Sequence, residues 1–349
     1  METAYSGDSS RLKPCPQPDT LPAVELPSVA VLLPTFNERE FIDACLGSLA
    51  AQDYDGRWEV VIADGGSTDA TRDLVQAWRD RLELSVIDNP DRLQSEGLWL
   101  ASQTTAAEVF VRADAHTTYA PDYIRRSVEV LAETGAAAVG GPMAPDAPSR
   151  FGRAVARVMR SSLGIGPGAF HHGGARREVD TVYLGAFSRH WFLTLGGMRT
   201  MPGGVAEDAD FYWRMRRTGG TVVLDPTIRS TYRPRETWSA LWRQFLRYGM
   251  GKADMLLVNG VWPSWRPSAP LALVLGIVAG LALGAAGLWW PLVTLLILWL
   301  LALVIAGRGH PLAMLVAATM HLAYGTGLLV GLFRSPARVR AQVVSRSAP

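Results

Sequence analysis

The chain has 349 residues, with 34 Lys and Arg against 32 Asp and Glu and a net charge of +2. That balance gives no support to an extended nucleic-acid footprint. Its two cysteines, Cys15 and Cys45, offer neither a disulfide framework nor metal-ligand spacing. The length suits one soluble domain of roughly 240 residues plus a few membrane helices, because residues 267–307 contain no charged residue at all.

Residues 1–27 carry Pro14, Pro16, Pro18, Pro22 and Pro27 without an apolar run, which reads as a disordered leader rather than a signal peptide. The apolar run 29–33 predicts a buried parallel strand, and Phe41, Ile42, Cys45, Leu46 and Leu49 follow at helical spacing. A second strand at 59–63 precedes a helix capped by Thr68 or Asp69, with Leu74, Val75 and Trp78 as its buried stripe. Further strands are predicted at 83–87, 109–112, 136–141 and 221–224, with a helix opening at Pro121. This alternation predicts an α/β fold, a mainly parallel sheet with helices on both faces. The glycine-rich stretch 164–174 reads as a mobile loop over the sheet edge. Its His171 and His172 are adjacent, so a solvated pair is preferred to a second metal site.

From Glu236 onward, Trp238, Leu241, Trp242, Phe245 and Tyr248 share one helical face, and Arg243, Gln244 and Arg247 the other. That pattern predicts a helix in the membrane interface; an amphipathic helix packed on the soluble core is the competing reading. Apolar stretches follow at 269–288, 290–306 and 311–333, the last interrupted by His321, each approaching the ~20 residues a spanning helix needs. Arg243, Arg247, Lys252 and Arg266 precede them and Arg334, Arg338, Arg340 and Arg346 follow. Positive-inside reasoning wants both flanks on one side, which three crossings do not deliver. The expected divisions are a leader (1–27), a catalytic domain (28–235), an interfacial segment (236–266), a membrane domain (267–333) and a basic tail (334–349).

In open α/β sheets ligands collect beyond the C-terminal strand ends, and those positions are polar here. Pro34, Thr35, Phe36, Asn37 and Glu38 follow the first strand, and Asp64 to Asp69 follow the second. A carboxylate there can accept a hydrogen bond from a base or ribose, and glycines let the backbone approach; a simple turn with an N-cap is the alternative. Asp114 and His116, two apart after Arg112, would point the same way in extended chain and could share a divalent ion, of the kind a diphosphate leaving group requires. Glu207, Asp208 and Asp210 open a helix after Met201, Pro202, Gly203 and Gly204. They could complement the helix dipole, or one could deprotonate an acceptor hydroxyl.

Taken together, these motifs resemble the family 2 glycosyltransferases, inverting enzymes of the GT-A fold. The matching residues run in family order through Leu33-Pro34-Thr35-Phe36-Asn37-Glu38, Asp64 to Asp69, Asp114-Ala115-His116, Leu195-Gly196-Gly197-Met198, Glu207-Asp208 and Gln244-Phe245-Leu246-Arg247-Tyr248. Within that family the likeness is to the ExoA-type succinoglycan glucosyltransferases, through Asp180 to Phe187 and Arg247-Tyr248-Gly249-Met250-Gly251-Lys252. The resemblance implies a membrane-bound enzyme that moves one sugar from a UDP-sugar to a lipid-linked, polyprenyl-diphosphate saccharide in exopolysaccharide or cell-surface glycan synthesis, at the cytoplasmic face of the inner membrane. It implies Asp208 as base, Pro34, Thr35, Glu38, Asp64, Asp114, Gln244 and Arg247 around the donor, and Gly196, Gly197 and Glu207 on the acceptor side. It also implies Asp114 and His116 at a divalent cation, Mg or Mn. Gly65 stands where the family often has a second acid, His116 replaces the second acid of the metal motif, and Tyr248 stands where processive synthases carry Trp. The last departure favours single-sugar addition. A polyprenyl-phosphate glycosyltransferase and a non-catalytic membrane scaffold or nucleotide sensor are the alternatives. No Gly-x-Gly-x-x-Gly follows the first strand, which disfavours a dinucleotide oxidoreductase.

Overall fold

The computed structural model describes residues 25–166, 168–260, 268–334 and 336–341. Most of the expected leader, the end of the expected interfacial segment at 261–267 and most of the expected tail lie outside the described residues.

The chain opens with β1 (Val29–Thr35), α1 (Ile42–Ala50), β2 (Trp58–Asp64), α2 (Thr71–Gln76), β3 (Leu84–Asp88), α3 (Gln94–Gln103) and β4 (Val109–Arg112). It continues through β5 (Thr117–Tyr119), α4 (Tyr123–Thr134), β6 (Ala138–Gly141), β7 (Met143–Pro145), α5 (Arg150–Met159), α6 (Ser162–Ile165), α7 (Ala169–His172), β8 (Arg177–Glu178), β9 (Tyr183–Ser188) and α8 (Arg189–Thr194). The remainder is α9 (Glu207–Arg217), β10 (Val222–Leu224), β11 (Ser230–Tyr232), α10 (Trp238–Asn259), α11 (Ser268–Ala285), α12 (Trp290–Gly307), α13 (Pro311–Leu332) and α14 (Pro336–Ala341).

The larger sheet runs β3-β2-β1-β4-β9-β6-β10-β8. Strands β1 to β4 pair in parallel, so their C-terminal ends share one edge, with Thr35 opposite Asp64 and Asp64 opposite Asp88. Alternation along β1 feeds two cores: Val29, Val31 and Leu33 pack with Ile42, Leu46 and Ile62 on one face, while Ala30 and Leu32 pack with Leu98, Phe110, Phe187 and Phe211 on the other. A mainly parallel sheet is therefore correct, with two antiparallel strands the sequence reading lacked, one of them β8 at the β10 edge. Strand β9 enters antiparallel between β4 and β6. A small second sheet, β5-β11-β7, begins with the strand that follows β4.

Local departures have local causes. Helix α2 starts at Thr71, and its N-cap is Ala70 with no side-chain cap; Asp69 instead accepts from the Thr71 N–H at 2.9 Å. Helix α4 begins at Tyr123 rather than Pro121. The stretch expected as a mobile loop holds α6 and α7, and α6 is docked: His321 Nε2 lies 2.8 Å from the carbonyl oxygen of Leu163, and Trp299 donates to His321 Nδ1 at 3.2 Å.

Helices α11, α12 and α13 are long and apolar enough to cross a membrane. They are not equivalent. Glycines at 276, 280 and 284 seat α11 against Leu295 and Leu292 of α12 and its N-cap Trp289, giving a hairpin with many exposed apolar side chains. Helix α13 packs against this pair and also against α5 and α10. A Cβ at Gly249 would lie 2.1 Å from the Tyr324 carbonyl oxygen, and one at Gly327 would lie 2.0 Å from that of Leu246, so no larger residue fits at this crossing. Past the end of α13, Arg334 donates to both Asp254 carboxylate oxygens at 2.8 and 2.9 Å. Near its start, Ala313, Val316, Ala317 and Met320 join Val155 and Val158 of α5 in one cluster. Helix α10 thus departs from a simple interfacial helix: Leu241 and Phe245 are buried, whereas Trp238, Trp242 and Tyr248 of the same expected stripe are exposed.

Candidate active site

Asp64 ends β2 and is almost wholly buried. Its carboxylate accepts from Thr35 Oγ1 at 3.2 Å, the Gly66 and Ser67 N–H groups at 3.1 and 3.0 Å, Ser67 Oγ at 2.5 Å and Arg72 Nε at 2.6 Å. Burial pushes its pKa up, but the hydrogen bonds from Ser67 and Arg72 outweigh it and hold the group below its usual value. Asp64 therefore fixes the turn that follows β2. Phe36 is exposed beside that turn, with the Arg92 guanidinium 5.1 Å from its ring centre.

The loops after β1 and β2 are stitched together. The Asn37 N–H donates to Ser67 Oγ at 2.9 Å, the Thr68 N–H to Asn37 Oδ1 at 2.9 Å and the Glu38 N–H to Thr71 Oγ1 at 2.8 Å. This stitching carries Glu38 to the end of β4. There His116 lies between two carboxylates, with Nδ1 at 2.9 Å from Asp114 Oδ1 and Nε2 at 3.3 Å from Glu38 Oε2. Phe41 packs against its ring at 4.6 Å. Burial disfavours the imidazolium, but the hydrogen bond and charge of Asp114, with Glu38 beyond, raise its pKa. Burial pushes Glu38 up to about 7, against the opposing charge of His116. Both ring nitrogens are thus committed, and Asp114 keeps its second oxygen clear of hydrogen bonds among the described residues.

Arg112 links this corner to the start of α9. Its side chain is nearly buried, and Nη1 lies 3.9 Å from Asp208 Oδ2 and donates to Met198 Sδ at 3.7 Å. Met198 follows the turn of Gly196 and Gly197, both at positive φ, which Arg214 pins by donating to the Leu195 and Gly197 carbonyls at 2.6 and 2.7 Å. Asp208 is half exposed beside Arg112. Asp210, two residues on, is fully buried between Arg199, Arg214 and Asn259 and serves the scaffold.

Glu207 is buried, and its Oε2 has no hydrogen-bond partner among the described residues. Burial first, and the charge of Asp208 second, push its pKa up to about 7. Between the ordinary value of 4.5 and 7, the unfolded chain loses a proton that the folded chain keeps, so stability falls as pH rises through that window. Glu207→Gln cannot ionise. It is expected to unfold at a higher temperature than the parent at about pH 8, with the gap closing toward about pH 5; equal midpoints at the higher pH would show that Glu207 is not held protonated.

Helix α10 forms the rim. Gln244 Nε2 donates to the hydroxyls of Tyr232 and Tyr248 at 3.1 and 2.9 Å, and Tyr232 pairs with Thr117, the residue after His116. Arg247 reaches the Gly203 and Gly204 carbonyls at 3.4 Å. A Cβ at Gly251 would lie 3.0 Å from the Val205 carbonyl oxygen, so the loop before Glu207 rests on one side of α10 while α13 rests on the other. The structure thus gathers Glu38, Asp114, His116, Glu207, Asp208 and Arg247 at one edge, with Asp64 behind them. Arg112, whose place at a strand end was the available signal, is the linking residue that sequence reasoning did not assign. His171 packs on Phe170 at 4.0 Å in α7, and the His172 side chain lies outside the described residues. No group of three metal-binding side chains occurs among the described residues.

The profile of glycosyl transferase family 2 matches residues 30–189. The chain is 31% identical over 317 residues to the succinoglycan biosynthesis protein ExoA of Rhizobium meliloti, covering 86% of this chain and 93% of that protein. The chain belongs to glycosyl transferase family 2. A more distant relative is the glycosyltransferase AglE of Haloferax volcanii, 24% identical over 252 residues, 68% of this chain and 76% of that one. Among solved structures, the mannosyltransferase PcManGT of Pyrobaculum calidifontis, in complex with GDP-Man and Mn2+, superposes with a TM-score of 0.63 at 22% identity, over 88% of this chain and 87% of that one. The fold is therefore GT-A, and the protein is a glycosyltransferase of polysaccharide or glycan biosynthesis with three C-terminal helices suited to a membrane.

Proposed function

We propose that this enzyme transfers a single sugar, with inversion, from a UDP-sugar to a lipid-linked saccharide. The observation that carries the reading is Asp208: a half-exposed carboxylate 3.9 Å from an arginine that sits two residues before Asp114. Pro34, Thr35, Glu38 and Asp64 frame the nucleoside, Gln244 and Arg247 close over the diphosphate, where a guanidinium fork suits phosphate oxygens, and Gly196, Gly197 and Glu207 bound the acceptor side. Asp208 takes the proton from the acceptor hydroxyl as its oxygen attacks the anomeric carbon from the face opposite UDP.

A divalent cation, Mg or Mn, fits here on Asp114 together with the donor's own phosphate oxygens, a ligand set such ions accept. When bound, it would offset the charge on the departing diphosphate. His116 is read as the group that orients Asp114 rather than as a ligand, since both its nitrogens face carboxylates. The acceptor's lipid is supported by the contact of α10 with both the Val205 loop and α13. The arginines flanking the apolar helices support a head on the cytoplasmic side of the inner membrane.

The test is a donor screen of the purified enzyme in lipid nanodiscs, with UDP- and GDP-sugars, lipid-linked saccharide acceptors and Mg or Mn. UDP release that depends on the acceptor, with a product linkage opposite to that of the donor, is the expected result. No nucleoside diphosphate released from any donor would overturn the reading.

A further inference from the structure

Helix α5 has two unlike faces. Ala154, Val155, Val158 and Met159 pack against α12 and α13. Arg150, Arg153, Arg157 and Arg160 are exposed and, with Arg308 and His310 from the turn between α12 and α13, line two cavities of about 310 and 460 Å³ that share Arg153 and Arg157. Asp146 is the one carboxylate lining either cavity. Among the described residues, none of these five arginines forms an ion pair; Arg153 and Arg160 donate only to the carbonyls of Pro148 and Pro145.

Guanidinium groups crowded with a single carboxylate, Asp146, among them repel one another, and a multivalent anion relieves the crowding through forked hydrogen bonds. The position narrows the anion. Arg308 caps the C-terminus of α12 and His310 the N-terminus of α13, so the cavities open where two apolar helices end, at the level of lipid headgroups. They also lie near the cleft: Pro145 pairs with Tyr232 and Tyr232 with Thr117, two strand spacings or roughly 10 Å from the residue that follows His116.

We propose that α5 and the α12–α13 turn form a binding site for the phosphate or diphosphate headgroup of a lipid. Two lipids carry that chemistry, a substrate lipid bearing a diphosphate and an anionic phospholipid of the bilayer. The site is independent of which nucleotide sugar is used, and its binding is read without turnover, so its failure is separable from failure of the catalytic reading.

The full chain in neutral-lipid nanodiscs is titrated with a long-chain polyprenyl diphosphate, with phosphatidylglycerol and with inorganic diphosphate. The parent is compared with Arg153→Glu/Arg157→Glu and, from the other wall, with Arg308→Glu. Tighter binding of polyprenyl diphosphate than of phosphatidylglycerol, weakened tenfold or more by either variant while UDP binding and the melting temperature hold, identifies a substrate headgroup. Equal binding of both lipids, lost in the same variants, identifies a bilayer lipid. Unchanged lipid binding in both variants overturns the proposal, as does inorganic diphosphate binding as tightly as either lipid, which would mark a soluble-anion site.

Discussion

Asp208→Asn is expected to lower sugar transfer by about 10³-fold, within the range general-base removal gives, while leaving the affinity for UDP within about twofold. The substitution is close to isosteric, so the hydrogen bond from the Ala209 N–H at 2.6 Å can persist and the start of α9 keeps its shape. What is lost is the charge facing Arg112 and the capacity to hold a proton. Single-turnover transfer and equilibrium UDP binding, measured on the same preparation, separate the two effects. Transfer within tenfold of the parent would remove Asp208 from the base role and favour an acceptor, such as a lipid phosphate, that needs no deprotonation.

Asp210→Ala, two residues away, is expected to act through the fold. Asp210 has no exposed surface and is the anionic partner of Arg199 and Arg214, with Asn259 from the end of α10 at 3.0 Å. Its removal leaves two largely buried guanidinium groups uncompensated, a change that typically costs about 3–5 kcal/mol. Arg214 would also lose its brace while holding the Leu195 and Gly197 carbonyls, so the glycine turn should loosen. Thermal unfolding in nanodiscs reads the loss directly. A midpoint within a degree or two of the parent would show that the arginines find solvent or other partners.

The contrast between these two aspartates marks where sequence reading stops. The Glu-Asp-Ala-Asp run was legible as a cluster of acids at a helix start, but α9 turns each side chain to a different environment. Glu207 is buried without a partner, Asp208 is half exposed beside Arg112 and Asp210 is locked in the scaffold. The strand-end logic singled out Asp64, Asp114 and Glu38, and parallel pairing of β1, β2 and β4 puts those ends on one edge by construction. Strand β9 was not anticipated, because its pairing is to β4 and β6, distant in sequence, and nothing local in Tyr183–Ser188 declares the antiparallel direction. The aromatic stripe of α10 was legible as amphipathic, yet which part of it is buried depended on α13. The glycines at 249 and 251 face opposite neighbours, and no single-helix periodicity expresses that. Likewise the arginines of α5 recur at helical spacing, but their convergence with Arg308 and His310 is a product of tertiary packing.

Both extremities of α13 are moored to the same body: the first turns to α5, the last through Arg334 to Asp254, whose carboxylate is 3.2 Å from where a Cβ on Gly203 would stand. A rod about 33 Å long fastened at both tips to the head moves with it as one body, and the packing of α11 and α12 on α13 extends that constraint to the other two apolar helices. A change in the tilt of α13 would therefore be felt through α10 at Gly251, where the loop before Glu207 rests.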